Sequence, residues 1–321
     1  MNLLCNKCGA SVTKKGFDTA GKQRYMCIVC GHRTVHPKEF QSDKKQGSTD
    51  WREWSENCIE RQNLHEKASS SQDVCNIFLK TDKPFIIYQP LADLHIGNIG
   101  TSYKDLIEWT DQILQIPELY FSVMGDLADK FSAFKNMLAV HQMILSPEEQ
   151  DKFIESWVEE TQHKFLFSTW GNHEEMEERA SGQNAVKNIL NKKLVYFNGI
   201  GVANLHINDI KYKIVATHKT RANSCFNKTH GLKRLARENI PDGDIYVAGH
   251  NHTGAFEFTE ERSLWQVFIK LCSLKKNDGY AKRYFTYFCD TTMPNVVLNT
   301  QKHEFTPFRT LSEALQFIKR V

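Results

Sequence analysis

The chain has 321 residues, 41 Lys and Arg against 38 Asp and Glu for a net charge of +3, and is 40% hydrophobic, 25% charged and 11% aromatic. That is the composition of a folded globular protein with apolar mass for a sizeable core, in about two domains at roughly 100–200 residues each. It excludes a helical membrane protein, since no apolar run approaches the ~18 residues of a spanning helix; the start from Met1 to Cys8 has no basic segment followed by an apolar stretch, so a cytoplasmic location and no membrane partner are expected.

Charge is spread unevenly. Residues 1–45 hold nine Lys and Arg and three Asp and Glu, so they carry +6 and the remainder carries 3 − 6 = −3. A basic end on an acidic chain points to a polyanionic partner or to a solubilising tail. Four of the nine cysteines stand there, as Cys5-x2-Cys8 and, after eighteen residues, Cys27-x2-Cys30. Each pair places two thiolates on one turn, and two turns complete a tetrahedral zinc site. Gly9 and Gly31 follow the pairs, where a backbone without Cβ curls so that amides face the sulfurs. A segment this short has too little core to fold alone, so the metal supplies folding energy. Two disulfides are the alternative, disfavoured in a reducing compartment. The segment resembles the zinc ribbons of nucleic-acid-binding and phage or transposon proteins. That implies Lys7, Lys14, Lys15, Lys22, Arg24 and Arg33 as phosphate contacts, with a protein partner as the competing expectation. Cys58, Cys75, Cys225, Cys272 and Cys289 show no pairing pattern and read as free thiols, mostly buried in strands or helices, with Cys225 apart in a polar loop.

Residues 36–50 are polar and read as a linker. Asp50 is the expected cap of a helix from Trp51 to Lys67, which Ser69, Ser70 and Ser71 end. The division is therefore a zinc ribbon over 1–36, a linker and connecting helix over 37–73, and a main domain over 74–321. In the main domain, Phe85–Leu91, Leu119–Met124 and Phe165–Thr169 read as buried strands. Helices are expected at 103–115, 132–145 and 147–164, an alternation that indicates an α/β fold. Val202–Ile207 and Ile210–Thr217 form an expected hairpin across Asn208 and Asp209. Ile245–Ala248, Val267–Leu271, Tyr284–Cys289 and Asn295–Leu298 add strands, so the second half is more β-rich, as in a sandwich of two sheets with helices outside.

The loops at the ends of these strands carry the chemistry. They present Asp93-Leu94-His95, then Gly125-Asp126-Leu127-Ala128-Asp129, then Gly171-Asn172-His173-Glu174, then His218, then Gly249-His250-Asn251-His252. In an α/β sheet the carboxyl ends of strands are where sites form. Imidazole and carboxylate suit Mn, Fe or Zn, and a shared carboxylate bridges two ions that clamp a phosphate. The glycines before Asp126, Asn172 and His250 are expected to allow sharp strand-to-loop turns.

These five motifs in this order resemble the calcineurin-like metallophosphoesterase superfamily over about residues 85–300. The resemblance implies a four-layer α/β/β/α sandwich of two mixed sheets, carried beside the small N-terminal ribbon. It implies Asp93, His95 and His252 as ligands of one metal, Asn172, His218 and His250 as ligands of a second, and Asp126 as the bridging carboxylate. His173 matches the position that protonates the leaving oxygen or positions the phosphate, and Asp129 is its expected partner. The implied step is in-line attack by a metal-bound hydroxide. Two active-site ions are implied, with Mn first and Fe, Zn or Ni as substitutes.

Other residues have competing roles. Glu174 reads as a first-turn acid of the next helix, with Glu175, Glu177 and Glu178, rather than as a group orienting water or His173. Arg221, in a loop rich in basic and amide groups, is the candidate phosphate clamp. His230 reads as structural, and Lys233, Arg234 and Arg237 as the wet face of a helix. Three readings of the substrate compete. A nuclease or phosphodiesterase acting on DNA is favoured by the basic ribbon, which would tether the catalytic domain to its substrate. A protein serine/threonine phosphatase or small-molecule phosphoesterase, with the ribbon as a docking module, is the alternative; the phosphatase branch expects an arginine where Lys130 follows Asp129. A non-catalytic ribbon protein is disfavoured by the complete ligand set.

Overall fold

The computed structural model describes residues 4–5, 7–34, 51–68, 74–130, 141–221, 224, 226–261, 263–276 and 293–321. The linker 36–50, Asp50, the serines at 69–71, most of the expected helix 132–145, the expected strand Tyr284–Cys289 and the thiols of Cys225 and Cys289 lie outside the described residues. The chain divides into two compact units, Met1–Ser69 and Ser70–Val321.

In the first unit, β1 (Val12–Phe17), β2 (Gln23–Cys27) and β3 (Arg33–Thr34) form an antiparallel sheet. Cys5 and Cys8 precede β1, and Cys27 and Cys30 sit at the end of β2. α1 (Trp51–Ala68) follows. Cys58 is exposed on it, against the expectation of a buried thiol, because no described part of the chain covers that helix face.

The second unit is a sandwich. Its first half runs β4 (Val74–Leu79), β5 (Phe85–Leu91), α2 (Tyr103–Gln115), β6 (Leu119–Met124), α3 (Pro147–Thr161), β7 (Phe165–Thr169), α4 (Asn172–Ser181), α5 (Ala185–Asn191) and β8 (Val195–Phe197). Its second half runs β9 (Gly201–Ile207), β10 (Ile210–Thr217), α6 (His230–Glu238), β11 (Ile245–Ala248), β12 (Ala255–Glu261), β13 (Leu264–Lys270), β14 (Asn295–Asn299), β15 (Phe305–Phe308) and α7 (Leu311–Arg320). One six-stranded sheet has the order β12-β13-β11-β10-β9-β4 and the other β15-β14-β5-β6-β7-β8. Both are mixed: β5 through β8 run parallel to their neighbours while β14 joins β5 antiparallel.

Side-chain alternation explains the layers. On β5, Ile86 and Tyr88 point between the sheets, to join Phe167, Leu205, Ile214 and Val247. Ile87 points outward, to join Phe121, Ile113 of α2, Ile154 of α3 and Ala314 of α7. On the far sheet Val215, Tyr246 and Phe268 pack under Leu232 and Leu235 of α6. The order is helix, sheet, sheet, helix, as the resemblance implied. α3 starts where Ser146 and Glu149 form a capping box with Pro147 in the first turn. Residues 141–145, expected to end a helix, instead pair with the loop after β5: Ile99 N donates to Gln142 O (2.7 Å) and Ile144 N to Gly97 O (2.8 Å). Those backbone groups are committed across chains of the loop, which leaves no helical partner for them.

Candidate metal centre

The loops after β5 and β6 stay paired beyond their strands. Asp93 N donates to Gly125 O (3.1 Å), His95 N to Asp126 O (3.0 Å), Ile96 N to Leu127 O (2.8 Å) and Asp129 N to Ile96 O (2.9 Å). This ladder fixes Asp93, His95 and Asp126 relative to one another before any side chain is considered. The backbone there is unusual. Among the described residues seven non-glycine positions have positive φ, and five are Asp93 (54°), His95 (49°), Asp126 (52°), His250 (73°) and His252 (56°). Such conformations cost of order 1–3 kcal/mol each and persist only where the surroundings impose them. The glycines before the ligands differ from expectation. Gly125 does turn with φ of 71°, and a Cβ there would meet Trp170 O at 2.3 Å. Gly171 has φ of −125°, and Gly249 is not among the positive-φ glycines. Both are needed for room: a Cβ on Gly171 would lie 2.2 Å from Asp126 N and Glu174 Oε2, and one on Gly249 2.5 Å from Asp93 Oδ2.

The side chains gather in two groups. In the first, His252 Nε2 is 3.1 Å from His95 Nε2 and 3.3 Å from Asp93 Oδ1, and His95 Nε2 is 3.8 Å from that oxygen. In the second, His218 Nε2 is 2.9 Å from Asn172 Oδ1, 3.2 Å from His250 Nδ1 and 3.3 Å from Asp126 Oδ2. Asp126 also stands with His95 and His173, all with candidate ligand atoms within 4.8 Å of one another, so it faces both groups.

The donors fit divalent ions. Atoms about 2.0–2.2 Å from a shared ion lie roughly 3–3.6 Å apart, close to the spacings seen here. Tautomers agree: His95 Nδ1 donates to Asp129 Oδ1 (2.8 Å) and His218 Nδ1 to Met124 O (2.7 Å), which leaves each Nε2 lone pair directed into its group. Asp93 Oδ1 is buried with no hydrogen-bond donor among the described residues, while Oδ2 accepts from His250 N (2.8 Å). An acceptor oxygen buried among imidazole lone pairs calls for a cation. Electrostatics say the same. Burial lowers His95 and His250 to about 4, so both stay neutral and able to ligate. Burial also opposes charge on His218, but the Asp126 carboxylate and Asp93 outweigh it and raise this imidazole to about 10. The two carboxylates thus demand positive charge at this point.

His173 takes a separate position. Its Nδ1 donates to Asp129 O (3.1 Å), its N to Asp126 Oδ1 (3.0 Å), and its Nε2 lies 3.9 Å from Asp126 Oδ2. The expected pairing with Asp129 is present, through two of its oxygens. His173 Nδ1 meets both the Asp129 carbonyl and, at 3.6 Å, its carboxylate Oδ1, and that carboxylate also accepts from His95 and from Asn98 Nδ2 (2.5 Å), with Lys275 Nζ at 3.4 Å. Burial opposes ionisation of Asp129, but those donors hold it at about 2. Arg221 is exposed, and among the described residues no hydrogen bond or ion pair of the cluster reaches it.

Glu174 is in the first turn of the helix as expected, but its carboxylate faces inward and has a second task. It is 2% exposed, and its carboxylate accepts from Asp126 N (3.1 Å) and Leu127 N (2.8 Å), clamping the Asp126 loop to the start of α4. Burial and the Asp126 charge push it up to about 7. Glu174→Gln is expected to leave one of the two amides facing an N–H and to weaken metal affinity about 10–100-fold. A metal titration of activity, set against Glu175→Gln, whose carboxylate pairs with Arg179 away from the Asp126 loop, checks this. Lys270, buried and bonded to Gly249 O (3.2 Å), and Lys275 were also missed, since nothing local in sequence separates a buried lysine from a wet one.

In the ribbon the four sulfurs converge: Cys8 Sγ is 3.4 Å from those of Cys27 and Cys30, and Cys5 Sγ is 3.7 Å from that of Cys30. At about 2.3 Å from a central ion, tetrahedral thiolates lie roughly 3.7 Å apart. The amides of Lys7, Val29 and Cys30 point at Cys5 and Cys27 sulfurs (3.4 Å each), and the Cys30 amide in particular lowers Cys27 to about 6. Gly9 and Gly31, with φ of 73° and 69°, make the turns. Lys7, Lys14, Lys15, Lys22, Arg24 and Arg33 are all exposed.

A family model described as calcineurin-like phosphoesterase matches residues 91–262. A search of curated proteins gives no match. Among solved structures, the chain is similar to a predicted phosphoesterase from Streptococcus pneumoniae at 16% identity, over 70% of this chain and 97% of that one, with TM-score 0.36. It is similar to Pseudomonas putida nuclease MPE at 12% identity, over 69% and 87%, with TM-score 0.31. A metallophosphoesterase from Sphaerobacter thermophilus matches at 11%, over 73% and 93%, with TM-score 0.34.

Proposed function

The chain belongs to the calcineurin-like phosphoesterase family and is a metal-dependent hydrolase of phosphoester bonds, and from this we propose that it is a binuclear nuclease or phosphodiesterase acting on DNA. The carrying observation for the chemistry is Asp126, a carboxylate that stands between two groups of three donors. Asp93, His95 and His252 would hold one ion and Asn172, His218 and His250 the other, with Asp126 available to both; Mn is the first candidate for the pair and Zn for the four thiolates. Such ions, when bound, neutralise phosphate charge and lower the pKa of water. The remaining work belongs to the chain. His173, held through Nδ1, delivers a proton from Nε2 to the leaving oxygen. Asp129 keeps His95 in the ligating tautomer, and Glu174 keeps Asp126 in place.

The six exposed ribbon cations support a nucleic-acid substrate. Lys130 argues against the protein-phosphatase reading. Where that branch expects an arginine for phosphate, this side chain is buried and taken by Glu177 (2.8 Å) and Asp151. The test is cleavage of labelled single- and double-stranded DNA with Mn²⁺, wild type against His173→Ala. Cleavage that the variant loses supports the reading; no cleavage by metal-loaded wild type overturns it and moves the substrate to a phosphoprotein or small ester.

Removing residues 1–69 is expected to weaken binding to long DNA and to flatten its salt dependence, by a slope of up to about 5 if all six cations contact phosphates. Hydrolysis of a small chromogenic diester should be unchanged. Loss of that hydrolysis in the truncated protein would refute the division of labour.

A further inference from the structure

The segment 219–238 is the most basic stretch outside the ribbon: Lys219, Arg221, Lys228, Lys233, Arg234 and Arg237 against Glu238 alone. The chain beyond residue 45 is net acidic, so this concentration is local. It begins one residue after His218 of the metal centre. Its place is fixed at two further points: Lys228 Nζ donates to Gly254 O (3.4 Å), two residues past His252, and Thr229 Oγ1 donates to Glu257 Oε2 (2.6 Å) on β12. α6 therefore starts at the metal-bearing end of its sheet and runs away from it. Leu232, Leu235 and Ala236 are buried on the sheet. The opposite face lines a groove of 410 Å³ with Asn227, His230, Lys233, Arg234, Arg237 and Glu238.

Two cations of the groove are braced. Lys233 pairs with Glu257, and Arg234 Nε donates to Glu238 Oε1 (2.7 Å). One residue before Asn227 of that lining stands Phe226, 98% exposed. A fully exposed phenylalanine is out of place on a plain solvated face, and an aromatic ring beside a basic groove is the arrangement that stacks a base while cations follow the phosphates. α6, nine residues or roughly 13 Å long, matches two to three nucleotides of a single strand.

We propose that this groove is the path by which single-stranded DNA enters or leaves the metal centre, with Phe226 stacking a base and Arg234 and Arg237 on the phosphates. The proposal rests on the nuclease reading above.

The test uses the full chain with Mn²⁺, a 5′-labelled single-stranded oligonucleotide and a small chromogenic diester. Arg234→Ala/Arg237→Ala should raise KM for the oligonucleotide at least tenfold. It should also make log KM less dependent on log salt by a slope of about 1.4, two contacts at roughly 0.7 each. Phe226→Ala should raise that KM about fivefold or more with the salt slope intact. Turnover of the chromogenic diester should match wild type in all of them, as should everything in the charge-matched control Lys152→Ala/Arg179→Ala, whose paired cations lie on α3 and α4. A double variant with wild-type KM and slope, while wild type cleaves the oligonucleotide, overturns the groove and leaves the nuclease reading standing. Wild type that turns over the diester and no oligonucleotide overturns both.

Discussion

Asp126→Asn is expected to give a folded protein that retains fewer than two ions after dialysis and has lost DNA and small-ester hydrolysis together. The amide keeps an oxygen for His173 N, so the turn into α4 survives. What disappears is the charge. The carboxylate is buried, held well ionised against burial by His218 and His173, and faces both donor groups. Metal stabilisation of charge in phosphoryl transfer is worth several kcal/mol, and about 4 kcal/mol corresponds to a rate loss of about 10³-fold. Elemental analysis of the dialysed protein beside the rate decides it. Two retained ions and an undiminished rate would refute the bridging role.

His173→Ala should look different. No metal should be lost, because Nδ1 and N of His173 serve Asp129 O and Asp126 Oδ1 rather than an ion, and His95 and Asp126 keep their other partners. The rate on DNA should fall about 10²–10⁴-fold, the range of a general acid, and the fall should lie in kcat. An ester whose leaving group needs no proton should be hurt far less. Equal losses on both esters would mean that His173 positions the phosphate and donates nothing.

The chemistry-bearing residues were legible because this fold puts them where reading is easy. β5, β6, β7 and β11 are buried on both faces and mostly apolar, so each stands out as a run, and each run leads into a polar ligand. Edge elements were not legible. β15 reads Phe-Thr-Pro-Phe, and Pro307 argues against a strand anywhere but an edge. β12 alternates exposed Phe256 and Phe258 with Glu257, a pattern as weak as a loop. α7 did announce itself through Thr310 and Glu313, whose side chains form a capping box, and that signal was overlooked. Within the site, residue types were readable but contacts were not. Which oxygens Asp129 offers to His173, and whether Glu174 faces water or the Asp126 backbone, depends on α4 crossing the end of β6, which no local pattern encodes.

The left-handed ligands set stability and function against each other. At Asp93, His95, Asp126, His250 and His252 glycine would relax the backbone, by up to about 1–3 kcal/mol at each. The substitutions that free the fold of this strain are the ones that dismantle the metal centre. Glycine there would also forfeit hydrogen bonds, His95 Nδ1 to Asp129, His173 N to Asp126 Oδ1 and His250 N to Asp93 Oδ2, so the contacts that assemble the donors are the ones that hold the strain in place.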